Sequence, residues 1–185
     1  MKEDKKEKSG NFIKNIMFIV LALVIAILIR KYVFSTHIVK GASMEDTLHS
    51  GDFIITNNLS LVFGNPDRED IVVVKDPSGG KTWGVFDRLV VKRVIGLPGD
   101  DIDLNEGKFY INGELLQEEY EAEDSWTMAS VGNHWELAAD EYFIVGDNRN
   151  PGKSYDSRAY GPVDRDLICG RASVKLFPLD KMGKI

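Results

Sequence analysis

The chain has 185 residues, 43% of them hydrophobic, which suffices for one sizeable domain plus an appendage and excludes a disordered polymer. A net charge of −6 and a pI near 5.1 argue against a nucleic-acid surface, which needs clustered lysine and arginine. The lone Cys169 excludes an intramolecular disulfide framework, and the histidines at 37, 49 and 134 show no Cys/His spacing, so neither a metal site nor a cofactor is expected.

Residues 1–11 are polar and lysine-rich, and Ile16 to Ile29 is an unbroken apolar run. Fourteen such residues fit the core of a cleaved signal peptide as well as a membrane span. The flanks favour an uncleaved anchor over 12–34: Lys14, Arg30 and Lys31 can snorkel, and Phe12 to Phe34 would reach about 35 Å as a helix against roughly 30 Å of hydrocarbon. Five lysines before the run, against Arg30 and Lys31 after it, place the amino terminus in the cytoplasm. The expectation is a single-pass protein of the plasma membrane, with residues 35–185 as an extracytoplasmic domain.

From Ser35 the pattern changes to short β-like runs separated by Gly, Pro and Asn clusters: His37 to Val39, Phe53 to Thr56, Ile71 to Val74, Leu89 to Ile95, Phe109 to Ile111, Tyr142 to Val145 and Ala172 to Phe177. With no long amphipathic helix among them, they predict a mainly β domain, a barrel or sandwich with an open sheet. Between Asp101 and Asp124 stand nine carboxylates and the single Lys108, opening with a hairpin signal at Asn112-Gly113. This reads as a solvated face of a small outer lobe, about 101–140, with no chemistry assigned to it. Residues 125–140 show no period. Leu59 to Phe63 and Trp83 to Phe86 set large hydrophobes beside turn residues, as a surface resting on lipid would, or as ordinary core would.

Gly41-Ala42-Ser43-Met44 puts a serine at a glycine-containing turn just beyond the first strand. Such a serine is commonly a hydrogen-bonding turn residue, and its hydroxyl is a poor nucleophile until a base takes its proton. Lys92 is a candidate base. It sits in an apolar strand with Val90 and Val94 on its face and Val91, Arg93 and Ile95 on the other. Burial there would lower its pKa and make it a neutral amine; exposure would leave a snorkelling cation. His49 offers a competing Ser-His-Asp arrangement, without a nearby carboxylate to orient it. A third element, Gly146-Asp147-Asn148-Arg149 and Ser154-Tyr155-Asp156-Ser157-Arg158, reads locally as a polar turn with an Asp/Arg network.

Taken in order, Ser43-Met44, Thr47-Leu48, Gly51-Asp52, Arg68 with Asp70 to Val73, Lys92 to Asp100, and Gly146 to Arg149 with Asp156 to Arg158 resemble the boxes of type I signal peptidases, membrane-bound serine proteases that remove signal peptides from exported precursors. The resemblance implies Ser43 as nucleophile and Lys92 as general base, with Ser154 holding the amine and Asp147, Asp156, Arg158 and Arg93 bracing the site. It implies an oxyanion site at the Ser43 backbone N–H, with Gly41 standing where other members have a serine donor. The substrate, the end of a signal peptide on a precursor protein, would add as a strand between Ile38, Val39, Lys40 and Gly41 on one side and Leu89, Val90 and Val91 on the other, with small residues before the cut. Membrane lipid is the second expected partner, and nucleic acid is not one. The chain departs from the family pattern at Asp46, where proline is usual, and in a longer stretch from Arg149 to Ser154. Asp46 near Lys92 would raise the lysine pKa. These departures motivate a competing reading as a catalytically impaired chaperone or scaffold for surface-protein assembly. A soluble self-cleaving Ser-Lys repressor is disfavoured by the anchor and the acidic charge.

Overall fold

The computed structural model describes residues 2–82, 86–120 and 126–185. Trp83, Gly84 and Val85 fall outside the described residues, and with them most of the Trp83 to Phe86 stretch.

A helix, α1 (Lys2–Tyr32), carries the apolar run. Its segment Ile13–Arg30 is long and apolar enough to cross a membrane, and none of it is buried against the rest of the chain. The helix ends where its last carbonyls find donors: Val33 N–H bonds Ile29 at 2.8 Å and Ser35 Oγ bonds Arg30 at 2.9 Å. The chain then turns directly into β1 (Phe34–Ile38).

There follow β2 (Phe53–Asn57), the short helix α2 (Leu59–Phe63), β3 (Ile71–Lys75), the small hairpin β4 (Lys81–Thr82) and β5 (Phe86–Asp87), and β6 (Leu89–Gly96). Next come β7 (Asp101–Asn105), β8 (Lys108–Ile111), β9 (Glu114–Leu115) and β10 (His134–Glu136). The chain closes with β11 (Glu141–Val145), α3 (Ser157–Tyr160), β12 (Val163–Asp164), β13 (Ile168–Phe177) and β14 (Gly183–Lys184). The fold is mainly β, as the strand pattern predicts. The principal sheet is antiparallel with order β1-β2-β13-β3-β6-β11-β12, β14 adding to β13, and a second sheet has order β10-β7-β8-β9.

The β-branched runs form the central strands because both their faces are covered. Ile71, Val73 and Val91 pack with Met44, Leu48 and Ile54, whereas Val72, Val74 and Val94 pack with Tyr142, Ile144 and Ile168. Ile95 joins Ile102, Phe109, Trp135 and Phe143, fastening the second sheet to the first, with the Trp135 and Phe143 rings 4.7 Å apart. Lys92 lies opposite Val72 in the β3–β6 register and so belongs to the Val90 and Val94 face.

The two edges of β6 are paired over different lengths. β3 pairs with it from Leu89 to Arg93, whereas β11 pairs with its other edge only from Arg93 to Gly96. Among the described residues, Leu89 to Lys92 therefore have an unpaired second edge, the arrangement that accepts an added strand.

Candidate active site

The turn between β1 and β2 carries Ser43. Its base is closed by Val39 N–H to the Asp52 carbonyl and Gly51 N–H to the Val39 carbonyl, both 2.9 Å. Met44 and Leu48, buried side chains on either side of one Leu48 N–H to Met44 carbonyl bond, anchor it to the core. Buried Asp52 accepts the His49 N–H at 3.0 Å and pairs with Lys175 at 2.9 Å, while Lys175 Nζ also donates to the Thr47 carbonyl. Burial would raise the Asp52 pKa; the His49 N–H and Lys175 outweigh it and the net shift is downward. His49 itself is exposed, and it meets Asp52 through its backbone.

Because the sheet curls, this turn meets β6. Lys92 Nζ and Ser43 Oγ hydrogen-bond at 2.8 Å, across 49 residues of sequence. Lys92 is 3% exposed, and its amine is pushed down to about 8: burial dominates, Arg158 acts in the same direction, and Asp156, Asp147 and Asp76 oppose. Asp46 is exposed, and the carboxylates that lead in raising the amine's pKa are Asp156, Asp147 and Asp76. The Ser43 N–H donates to no group among the described residues, whereas the Gly41 N–H is turned toward Ser50 Oγ at 3.4 Å.

The polar cluster after β11 holds the pair together. At Gly146 the backbone approaches so closely that an added Cβ would lie 2.3 Å from the Ser43 carbonyl oxygen and 2.4 Å from Ser154 Oγ, which only glycine permits. Asp147 receives both Arg93 Nε (2.8 Å) and Nη2 (2.6 Å) and the Thr47 hydroxyl (2.6 Å), tying β6 to the serine turn. Asp156 receives Arg158 twice, the Gly146 N–H at 2.9 Å and the Ser154 hydroxyl. Burial would raise the Asp156 pKa, and these donors, led by Arg158, bring it below its ordinary value. The Ser154 hydroxyl donates to Asp156, one of the carboxylates whose charge acts on the Lys92 amine. Ile38, Val39 and Lys40 lie along the approach to the serine turn, and Leu89, Val90 and Val91 along the open edge of β6.

Three further residues take part: Asn148, from the polar cluster, and Glu118 and Tyr120, which no local sequence signal singles out. Asn148 donates its N–H to the Ser43 carbonyl (3.1 Å) and its Nδ2 to the Ala42 carbonyl (3.0 Å), holding the serine turn by its backbone. Glu118 receives Arg149 Nη1 at 2.7 Å in a buried pair, and the Arg93 guanidinium lies 3.8 Å from the Tyr120 ring centre. Both Glu118 and Tyr120 come from the acidic stretch. The same lobe supplies a surface group in which Asp101, His134 and Glu136 each bring one ligand atom within 4.8 Å of the others. Two paired strands contribute it, so no linear spacing announces it; Asp103, hydrogen-bonded to the ring, leads the groups that raise the His134 pKa.

Comparison with known proteins gives a consistent result. A family model described as signal peptidase, peptidase S26, matches residues 12–177. The chain is 32% identical to signal peptidase I of Bacillus licheniformis, over 97% of its own length and 98% of the relative's. It is likewise 32% identical to signal peptidase I S of Bacillus subtilis, over 100% and 99%. A crystal structure of a signal peptidase I from Enterococcus faecalis V583 aligns with 58% of this chain and 96% of its own, at 27% identity and a TM-score of 0.46.

Proposed function

The chain belongs to the signal peptidase family, peptidase S26, serine endopeptidases that cleave signal peptides from precursor proteins, and on that footing we propose that Ser43 is its nucleophile and Lys92 its general base. The observation that carries this reading is the 2.8 Å contact between Ser43 Oγ and a lysine amine that burial has brought to about 8. A neutral amine at that distance takes the hydroxyl proton as Oγ attacks the scissile carbonyl carbon. The carbonyl oxygen gains the negative charge and is met by the unengaged Ser43 N–H. When the tetrahedral intermediate collapses, the C–N bond breaks, and the Lys92 ammonium returns the proton to the leaving amine. Water, deprotonated by the same amine, then attacks the acyl-serine and releases the carboxylate end.

The residues around the pair act on position and charge. Asp147 with Arg93 and Thr47, and Asn148 with the Ala42 and Ser43 carbonyls, fix the serine turn against β6. Arg158 neutralises Asp156 close to the amine. The unpaired edge from Leu89 to Lys92 supports addition of the substrate as a strand, with Ile38 to Gly41 on its other side.

The apolar helix α1 anchors the chain in the membrane, and the lysine bias supports a cytoplasmic amino terminus with the catalytic domain, residues 35–185, outside. Contact of that domain with lipid is supported by α2. Its Asn58 and Leu59 N–H groups bond the Val33 carbonyl at the end of the span, and Leu59, Val62 and Phe63 are exposed there. The experiment that tests the catalytic assignment is cleavage of a model precursor ending in Ala-X-Ala by the full chain and by Ser43→Ala and Lys92→Ala. Both substitutions should abolish cleavage while leaving the unfolding transition in place; full activity in either overturns the assignment.

A further inference from the structure

A groove of about 440 Å³ opens beside the dyad, with Met128, Pro151, Ser154, Tyr155, Arg158 and Ala159 in its lining. Its wall nearest the chemistry is Ser154, which meets the Ser43 carbonyl across the bare backbone of Gly146. Arg158, the charged group in the lining, is buried and already donates to both Asp156 oxygens and to the Arg149 carbonyl. Beside the small polar groups of Ser130, Asn150 and Ser154, the groove offers a ligand the apolar surfaces of Met128, Pro151, Tyr155 and Ala159. Met128 and Tyr155 are each 57% exposed, and the Tyr155 ring is held by an edge contact with Tyr160, centroids 5.3 Å apart. The opposite wall is fastened too, since the Ser130 and Val131 N–H groups both bond the Arg158 carbonyl.

The direction of the substrate decides which half lies there. β1 leaves the membrane helix at Phe34 and heads for Ser43, and a signal peptide with its apolar core in the same bilayer runs outward beside it. Its residues before the cut lie along the open edge from Leu89 to Lys92. Past Lys92 that edge is closed, because β11 takes over the pairing at Arg93. The chain after the cut is turned off the sheet, toward Gly146 at the end of β11 and the Ser154 wall.

Resting on the Ser43 and Lys92 reading, we propose that this groove is the subsite for the leaving segment, the start of the mature protein. It selects a large apolar or aromatic side chain within about the first three residues after the cut, the reach of an extended chain rising about 3.3 Å per residue. A side chain of that kind gains by leaving water for the Met128 and Tyr155 surfaces, worth about tenfold in kcat/KM when only part of it is covered.

The test uses the full-length chain in detergent and two sets of precursors with the same signal peptide and Ala-X-Ala end. One carries alanine or serine at the first three positions after the cut, the other phenylalanine or leucine at each in turn. The parent should cleave the best apolar precursor about tenfold faster in kcat/KM than the alanine series. Tyr155→Ala and Met128→Ala, made separately, should reduce that preference to under about threefold while cleaving the alanine series at the parental rate. Equal cleavage of the two sets by the parent overturns the proposal, as does an undiminished preference in both variants. A parent that cleaves neither set overturns the catalytic reading itself, and the subsite falls with it; that outcome is distinct from loss of the preference alone.

Discussion

Substituting Lys92 by methionine isolates the energetic consequence of burying an amine. In the folded chain the group titrates at about 8, against 10.5 for an unperturbed lysine. Between those values the unfolded chain holds the proton and the folded chain does not, so stability changes with pH within that window and levels off on either side of it. The sign follows from the proton count: the unfolded state binds more protons there, so stability increases as pH rises from about 8 to 10.5. Below about 8 both states are protonated, and the folded state carries the whole cost of a buried cation, about 3 kcal/mol for a gap of this size. Methionine fills a similar volume without a titrating group, so the variant lacks this pH dependence. Relative to the parent, Lys92→Met should therefore be more stable at pH 7 by about 3 kcal/mol beyond whatever difference remains at pH 10.5. Urea unfolding of the two chains, followed by near-ultraviolet circular dichroism from pH 7 to 10.5, measures it. A difference that stays flat across that range would refute the reasoning, because it would mean that Lys92 titrates alike in both states.

On the proposed assignment the neutral Lys92 amine is the active form, so kcat/KM should fall about tenfold per pH unit below about 8 and level off above it, in a pH–rate profile on a model precursor. Asn148→Ala removes the side-chain bond to the Ala42 carbonyl and keeps the backbone bond to Ser43, so kcat should drop about tenfold with a melting temperature within a few degrees of the parent. Glu118→Gln takes the charge from the group that receives Arg149 Nη1 and Nη2, weakening two charge-assisted hydrogen bonds, and should cost about 1.5 to 3 kcal/mol in urea unfolding at pH 7. Gly146→Ala forces a methyl group against the Ser43 carbonyl and Ser154, and should lower both kcat and stability, the latter by about 1 to 3 kcal/mol in the same unfolding assay.

The strands written in β-branched residues are legible in the sequence because their composition and their burial agree: Ile71 to Val74 and Val94 to Ile95 are apolar and covered on both faces. β7 is missing from the expected strands although Asp101 to Asn105 alternates cleanly, with Ile102 and Leu104 buried between polar neighbours. Its density of carboxylates makes the stretch read as a solvated face, and only the outward half of the strand is one. β10 has three residues around the buried Trp135, too short for any period to register. The first strand begins at Phe34, three residues before the predicted start, because it grows straight out of the helix end and pairs with β2 from its first residue. Leu59 to Phe63 is helical, a five-residue turn held at its start by Asn57 Oδ1 on the Ser60 N–H and by the Val33 carbonyl, and toward its end by Arg165 on the Leu61 carbonyl.

In the site, local pattern supplies the candidates and only the three-dimensional arrangement connects them. Nothing near Lys92 in sequence determines whether its amine is neutral; the answer lies in the balance between burial and charges on another loop. Asp156, fully buried and close enough to act on the amine, would by itself pull the lysine pKa upward. Arg158 opposes that pull: its Nε and Nη2 take both Asp156 oxygens at 2.9 and 2.8 Å, and its own charge pushes the amine down. Burial is the largest influence on the amine, and it decides the outcome. The Asp156–Arg158 pair therefore does more than brace the fold: Asp156 organises Ser154 and the Gly146 backbone beside Ser43, while Arg158 opposes its upward pull on the Lys92 amine.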